Sequence, residues 1–213
     1  MMTKTASADP RVVAIGASQG GLTALHTLLG RLPADYPLAL LVVQHRTPDG
    51  DHLLAASLRA ACALPVLEPA RVGKHFLAPP GAIYLAPAGR HLLAEAHHFL
   101  RLSAAAPVFA ARPSIDLLFH SAARTYRRNL LAVLLTGLGR DGSDGLRHVS
   151  AVGGVAIVQD PCEAEAPAMP RNGLQAAPSA LALPLAEIGR YLLDWAQAEP
   201  ADQRQPTASR RQA

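Results

Sequence analysis

The sequence predicts an α/β fold: a doubly wound, mainly parallel sheet with helices on both faces. Short, continuous apolar segments, which are typical of strands buried on both faces, alternate with segments whose apolar residues have helical spacing. Strands that alternate with helices form parallel sheets, because each crossover helix packs back onto the sheet. Half of the 213 residues are hydrophobic and 17% are charged, so the chain can bury a sizeable core and general disorder is excluded.

The individual elements follow from the same two patterns. Strands rich in Val, Ile and Leu are predicted at residues 11–17, 38–44, 130–136 and 155–159, with a shorter strand at 65–67. Helices are predicted at residues 22–32, 51–63, 114–127, 141–152, 169–177 and 184–196. In the middle of the chain, where prolines and a glycine interrupt the pattern, residues 91–96 and 98–103 predict a small antiparallel hairpin appended to the main sheet.

The chain has no internal linker that would divide it, so we expect one domain over residues 11–197. Residues 1–10 show neither pattern and are expected to form a flexible leader. Residues 198–213 are mostly polar and contain two prolines, which predicts a disordered tail.

Charge and composition exclude several functional classes. The net charge is +4 with no concentrated cluster of Lys and Arg, so we expect no nucleic-acid partner. Residues 12–30 carry no Asp, Glu, Lys or Arg, but their other polar side chains are costly in hydrocarbon, so no membrane span is predicted. The first ten residues also lack the apolar segment of a signal peptide. Cys62 and Cys162 fit neither a disulfide framework nor a metal site, which predicts a cytoplasmic protein. No pair of histidines has a convincing metal-ligand spacing, so no metal is predicted, and no cofactor is expected.

The segment GASQGG at residues 16–21 is the sharpest local indication of chemistry. It contains Gly-x-Ser-x-Gly between a predicted strand and a predicted helix, where small residues allow a sharp turn that exposes the hydroxyl of Ser18. The unpaired N–H groups of a helix start also favour a developing oxyanion. Two other interpretations are Ser18 as a helix N-cap and the turn as a phosphate-binding loop, although the spacing of the known phosphate motifs is absent.

His45 and Asp141 each follow another predicted strand, as Ser18 does. The carboxyl ends of parallel strands meet at one edge of the sheet, so we expect the three side chains to form a Ser-His-Asp triad there. The alternatives are a hydrogen-bonded structural role for His45 and an N-cap role for Asp141, with Asp144 as a rival carboxylate. The order Ser, His, Asp differs from the Ser, Asp, His order of α/β-hydrolases and favours a serine hydrolase of another topology.

Five segments resemble the catalytic domain of CheB-type protein-glutamate methylesterases, which act on chemotaxis receptors. They are VVAIGASQGG at 12–21, LLVVQH at 40–45, ARPSIDLLFHSAA at 111–123, VLLTGLGRDGSDGL at 133–146 and AMPR at 168–171. The resemblance spans residues 11 to about 195 and implies a seven-stranded sheet with a small antiparallel hairpin. It also implies that Ser18 is the nucleophile, His45 the general base and Asp141 the partner of the histidine.

The resemblance further implies a substrate site around the triad. It places oxyanion donors at backbone N–H groups near Gln19 and Leu138, and it makes Arg112 and Met169 parts of the site's wall. Gln19 departs from the small residues or threonine that are more usual at its position in the family. Its backbone donor is retained, while its side chain is expected to alter the fit of the substrate.

The implied activity is hydrolysis of glutamate methyl esters on the cytoplasmic domain of a methyl-accepting chemoreceptor, with release of methanol. Some members of the family also deamidate receptor glutamines. Family members commonly carry an N-terminal receiver domain, whereas seventeen residues precede Ser18, so we expect no receiver and either no regulation or control by a separate response regulator. Two alternatives stay open: a serine hydrolase of another ester, thioester or amide, and a non-catalytic module that binds receptors or a signalling partner.

Overall fold

The described part of the computed structural model comprises residues 11–46, 51–70 and 75–198, and it contains ten strands, six α-helices and one short 3-10 helix (Arg127–Asn129). The strands are β1 (Val12–Ala17), β2 (Ala39–Gln44), β3 (Val66–Leu67), β4 (His75–Leu77), β5 (Ile83–Leu85), β6 (His91–Ala94), β7 (Phe99–Ser103), β8 (Leu130–Leu134), β9 (Val155–Gln159) and β10 (Leu181–Leu183). The helices are α1 (Gly21–Leu29), α2 (Asp51–Ala61), α3 (Ile115–Tyr126), α4 (Ser143–Ala151), α5 (Ala168–Ala176) and α6 (Leu185–Gln197).

Seven strands form a parallel sheet in the order β10-β9-β8-β1-β2-β5-β3. The chain fills one side of β1 first and, from β8 onwards, the other side. β1 is therefore the point where the strand order reverses, which is where open α/β sheets bind ligands. The side chains of β1 alternate between two cores, with Val12 and Ala14 in one and Val13 and Ile15 in the other.

Helices cover both faces of this sheet, as the alternation of patterns predicts. On one face α3, α4 and α5 contribute Phe119, Leu146 and Met169 to the core. On the other face α1, α2 and α6 contribute residues that include Leu25, Leu58 and Leu192. The doubly wound α/β fold class is thus confirmed.

A second, antiparallel sheet has the strand order β4-β7-β6 and packs against α3. The predicted hairpin is confirmed as β6 and β7, but its turn includes His97 and His98, so β7 begins at Phe99. The two histidines have positive φ angles of 56° and 59°, which a strand does not allow. The predicted short strand at 65–67 is present as β3, whereas β4, β5 and β10, each of three residues, were not predicted.

The predicted leader and all but the first residue of the predicted tail lie outside the described residues. The single domain over residues 11–197 stays a prediction. Within the described segments, none of the helices has both the length and the hydropathy that crossing a bilayer requires.

Candidate active site

The turn after β1 holds Ser18 at the carboxyl edge of the central sheet. β1 ends at Ala17 and α1 begins at Gly21, so Ser18 lies in the connection between them. The N-cap of α1 is Gly20, whose φ of 74° lies in the left-handed region that favours glycine. A Cβ at Gly20 would also come within 2.7 Å of the Cβ of Glu165. Ser18 therefore does not cap α1, and the sharp turn that the motif predicts is present.

The neighbouring strand brings His45 to the same edge. The register of β1 against β2 pairs Ala17 with Gln44, so Ser18 and His45 begin adjacent turns. The N–H of His45 donates to the carbonyl of Ala17 over 2.9 Å. The side-chain amide of Gln44 donates to the carbonyls of both Ser18 (2.7 Å) and His45 (2.9 Å). Gln44 thereby ties the turn of the predicted nucleophile to the turn of the predicted base.

Asp141 completes the arrangement from the far side of β1, after β8. Its Oδ2 lies 2.7 Å from Nε2 of His45, and its side chain is 3% exposed. The carboxylate also lies across the start of α3. It accepts hydrogen bonds from Ser114 Oγ (3.0 Å), Ile115 N (2.7 Å), Asp116 N (2.9 Å) and Gly142 N (3.1 Å). The N-cap of α4 is Gly142, so Asp141 does not cap the helix that follows it.

This environment keeps Asp141 ionised. Burial alone would raise the pKa of its carboxyl, but the hydrogen bond from His45 and those from the N–H groups of Asp116 and Ile115 outweigh it and lower the pKa. An ionised carboxylate accepts a hydrogen bond from the N–H at Nε2 of His45. It also stabilises the positive charge that forms when the ring takes a second proton. Because Asp141 engages Nε2, Nδ1 is the ring nitrogen left to face a hydroxyl.

The rival carboxylate, Asp144, belongs to a different cluster. Its Oδ2 lies 2.8 Å from Nε2 of His120, and its Oδ1 accepts from Arg147 over 2.7 Å. The hydrogen bonds from Arg147 and His120 lower the pKa of this carboxyl. The Asp144 side chain is 47% exposed on the outer surface of α4, so the structure brings it to His120 and not to His45.

Asp116 is a buried acid beside Asp141, and its Oδ1 accepts from Gly145 N over 2.7 Å. Burial, followed by repulsion from Asp141 and Asp144, raises the pKa of Asp116 from 3.8 to about 6. The folded protein holds this proton more tightly than the unfolded chain, so the contribution of Asp116 to stability falls as pH rises between these values.

We expect Asp116→Asn to remove this pH-dependent loss, because the amide keeps an acceptor for Gly145 and carries no charge. The free energy of unfolding of the variant, relative to wild type, should increase by about 1–3 kcal/mol between pH 4 and pH 7. Urea unfolding at a series of pH values measures the difference. Asp194→Asn on the surface of α6 is the matched control and should show no such trend; an equal trend in both variants would contradict the assignment.

The β8 side of the Ser18 turn is held by Thr136. The N–H of Ser18 donates to the carbonyl of Thr136 over 3.0 Å, and the Thr136 hydroxyl donates to the carbonyl of Gln19 over 3.0 Å. The same hydroxyl accepts from the N–H of Ala166 over 2.8 Å. Thr136 therefore connects the Ser18 turn to the loop that precedes α5.

Sequence reasoning assigned no role to Gln44 or Thr136, or to Ser114 at Asp141. The available signals were a polar residue at the end of each apolar strand and a serine that opens α3. Both are common at strand and helix ends, so neither points to a site without the register between strands.

The predicted oxyanion donors lie in the two turns around Ser18. In residues 11–46, 51–70 and 75–198, the backbone N–H groups of Gln19 and Leu138 have no protein acceptor. Met169, which was predicted in the wall of the site, is fully buried beneath the Gly137 turn. A Cβ at Gly137 would lie 2.4 Å from Met169 Cε and 2.7 Å from Ser18 Cβ, so this turn packs closely on both. Met169 contacts the site from beneath.

An open groove of about 650 Å³ lies at the carboxyl edge of the central sheet, beside His45 and Asp141. His45, Asp141, Arg112 and Leu138 line it, so four of the residues predicted from the sequence border one space. Arg112 Nη1 donates to the carbonyls of Ala104 and Ala105. In the described residues, no three His, Cys, Asp or Glu side chains form a group suited to a metal ion, and Cys62 and Cys162 are both free.

The sequence profile described as CheB methylesterase matches residues 13–192, which is most of the chain. The chain belongs to the CheB methylesterase family. Its fold is also similar to the solved CheB methylesterase catalytic domain of Thermotoga maritima, with a TM-score of 0.80 and 31% sequence identity. That match covers 87% of this chain and 98% of the other, and it confirms the family resemblance and the seven-stranded sheet.

Curated CheB relatives are similar along the same region. A protein-glutamate methylesterase/protein-glutamine glutaminase of Myxococcus xanthus is 46% identical over 151 residues, which are 71% of this chain and 42% of the relative. One of Geobacter metallireducens is 34% identical over 202 residues, or 93% of this chain and 54% of the relative. The chain spans about half the length of the curated CheB relatives that it matches.

Proposed function

We propose that the chain is a serine hydrolase that demethylates glutamate methyl esters on the cytoplasmic domain of a chemoreceptor and releases methanol. The observation that carries the proposal is the 2.7 Å contact between His45 Nε2 and the buried Asp141, beside Ser18 at the strand-order reversal. Membership of the CheB methylesterase family and the printed names of its relatives supply the substrate class.

In the proposed reaction, Ser18 Oγ attacks the ester carbonyl while His45 Nδ1 takes the hydroxyl proton. The N–H groups of Gln19 and Leu138 stabilise the oxyanion, and Asp141 stabilises the imidazolium. His45 then returns the proton to the departing methoxide, which leaves as methanol, and a glutamyl ester of Ser18 remains. Water, deprotonated by His45, hydrolyses this ester to a glutamate carboxylate and restores the Ser18 hydroxyl.

Deamidation of receptor glutamines belongs to the same proposal. The relatives' names include protein-glutamine glutaminase. A primary amide passes through the same glutamyl ester, with ammonia leaving in place of methanol after it takes the proton from His45. Release of ammonia from receptors that carry glutamine at the modified positions measures this activity separately.

The proposed partners are a methyl-accepting chemoreceptor and a separate response regulator, and the proposed location is the cytoplasm, where free Cys62 and Cys162 stay reduced. Hydrolysis by the triad requires no metal or cofactor. Two rival functions lead to different results. A hydrolase of another ester would cleave small esters but not receptors, and a binding module would hold receptors without turnover.

We expect methylated chemoreceptor membranes to release methanol when mixed with the wild-type chain and not with Ser18→Ala. Ser121→Ala removes a hydroxyl of α3 that contacts Ala94 of the small sheet and does not line the groove, so it serves as the matched control and should retain release. Equal release by wild type and Ser18→Ala would refute Ser18 as the nucleophile. If wild type releases none, repeating the assay with phosphorylated and unphosphorylated response regulators tests control in trans, and continued silence would refute the function.

A further inference from the structure

The rim of the catalytic groove carries an exposed aromatic residue on a strained turn. Val108 and Ala111 exchange two backbone hydrogen bonds, of 3.0 Å and 2.8 Å, around Phe109 and Ala110. Both central residues have positive φ angles, 47° and 61°, a conformation that turns usually assign to Gly, Asn or Asp. Phe109 is nevertheless 60% exposed at the tip. A strained turn that exposes an apolar ring to solvent points to a binding role for that ring.

The Phe109 ring lies against Arg140, from the opposite side of the groove. The guanidinium carbon of Arg140 is 5.4 Å from the ring centroid, within the range of a cation–π contact. The main chain that carries Arg140 is anchored on both sides, because Asn172 Nδ2 donates to Gly139 O and Ser143 N donates to Arg140 O. The guanidinium is thus held at the mouth of the groove by an aromatic ring.

Of the arginines that line the groove, Arg140 is the one whose guanidinium has no carboxylate or carbonyl acceptor in the described part of the chain. Three arginines line the groove, namely Arg46, Arg112 and Arg140. Arg46 is paired with Glu68, and Arg112 donates to two backbone carbonyls. In the described part of the chain, no carboxylate lies within ion-pair distance of the exposed Arg140. Asp141 is buried and committed to His45 and the start of α3, so the groove mouth presents net positive charge.

We propose that Arg140, positioned by Phe109, binds a second carboxylate of the substrate, next to the ester that is cleaved. The inference rests on the proposed function. Arg140 and His45 line the same groove, so a carboxylate bound by the guanidinium would share that groove with the ester that is cleaved. On a helical substrate, side chains three or four residues apart are close neighbours, with about 5–6 Å between their Cβ atoms. Arg140 thus selects methylated glutamates with an acidic residue three or four positions away.

Two versions of one methylated chemoreceptor cytoplasmic domain test this inference. The first keeps acidic residues three and four positions from the methylated glutamate, and the second has alanine there. Wild type should show a kcat/KM about tenfold higher for the acidic version, mainly through a lower KM, as expected for a charge-assisted pair. Arg140→Ala should reduce this ratio to near one, Arg140→Lys should retain most of it, and Arg140→Glu should invert it. Phe109→Leu should lower it about threefold, while Phe109→Tyr retains it.

The matched control is Arg190→Ala, which removes one positive charge from α6 on the other face of the sheet and should leave the ratio as in wild type. Methanol release from both versions without a preference for the acidic one would overturn the inference while leaving the proposed function intact. The inference would also be overturned if Arg140→Ala lowered kcat/KM equally on both versions, because Arg140 would then only stabilise its loop. No release from either version by wild type would refute the proposed function itself.

Discussion

Replacing His45 by alanine is expected to lower methanol release by about 10⁴- to 10⁶-fold, as removal of the base does in other triads. In the proposed mechanism the imidazole takes the proton of Ser18 and returns it to methoxide, so its removal stops both proton transfers. The measurement is kcat/KM on a methylated receptor domain for wild type, His45→Ala, Ser18→Ala and the double variant. The double variant should be no slower than either single variant, because the two residues act as one unit.

A matched histidine makes this result specific. His75 pairs with Glu95 on the exposed small sheet, away from the groove, and His75→Ala should keep activity within about threefold of wild type. Circular dichroism and urea unfolding report whether each variant is folded. A folded His45→Ala that keeps more than about one hundredth of the wild-type rate would contradict the role of general base.

The common location of Ser18, His45 and Asp141 was predictable because each follows a buried strand. The apolar segments that end before Ser18, His45 and Asp141 are visible in the sequence, and parallel strands bring their carboxyl ends to one edge. The same alternation predicts helices on both faces. The number of strands and the chemical roles came from the family resemblance instead, since short strands such as β4 and β10 show no pattern of their own.

The contacts that tune the site depend on tertiary register, which local patterns do not contain. Gln44 can donate to carbonyls in both turns because Ala17, its partner in the register, lies opposite it on the neighbouring strand. Three donors to Asp141 come from the start of α3, some twenty-five residues earlier in the chain, where the sequence pattern shows only a helix that begins at Ser114. Of the two nearby acids, the buried Asp141 contacts His45 and the partly exposed Asp144 contacts His120, a distinction that the sequence does not show.

Replacing Asp141 by asparagine should lower kcat by about 10⁴-fold. The carboxylate accepts two N–H groups at Oδ2, from His45 and Ile115, and three donors at Oδ1. An amide nitrogen at the Oδ1 position would oppose two backbone N–H groups, whereas at Oδ2 it opposes the Ile115 N–H alone. The asparagine therefore places its NH₂ towards His45 and donates to Nε2, which leaves the proton on Nδ1. The ring then has no lone pair for the proton of Ser18.

The control for this prediction is Asp144→Asn, which should keep kcat within about threefold of wild type because Asp144 contacts His120 and Arg147 on the surface of α4. Urea unfolding separates catalysis from folding: Asp141→Asn opposes one buried N–H and should lose about 1–3 kcal/mol, which still leaves a folded fraction sufficient for kcat measurement. Inactivation by Asp144→Asn with activity retained in Asp141→Asn would reverse the assignment. Equal kcat losses in both variants would mean that each substitution acts by disturbing the start of α4. They would then contradict a specific role of Asp141 as the partner of His45.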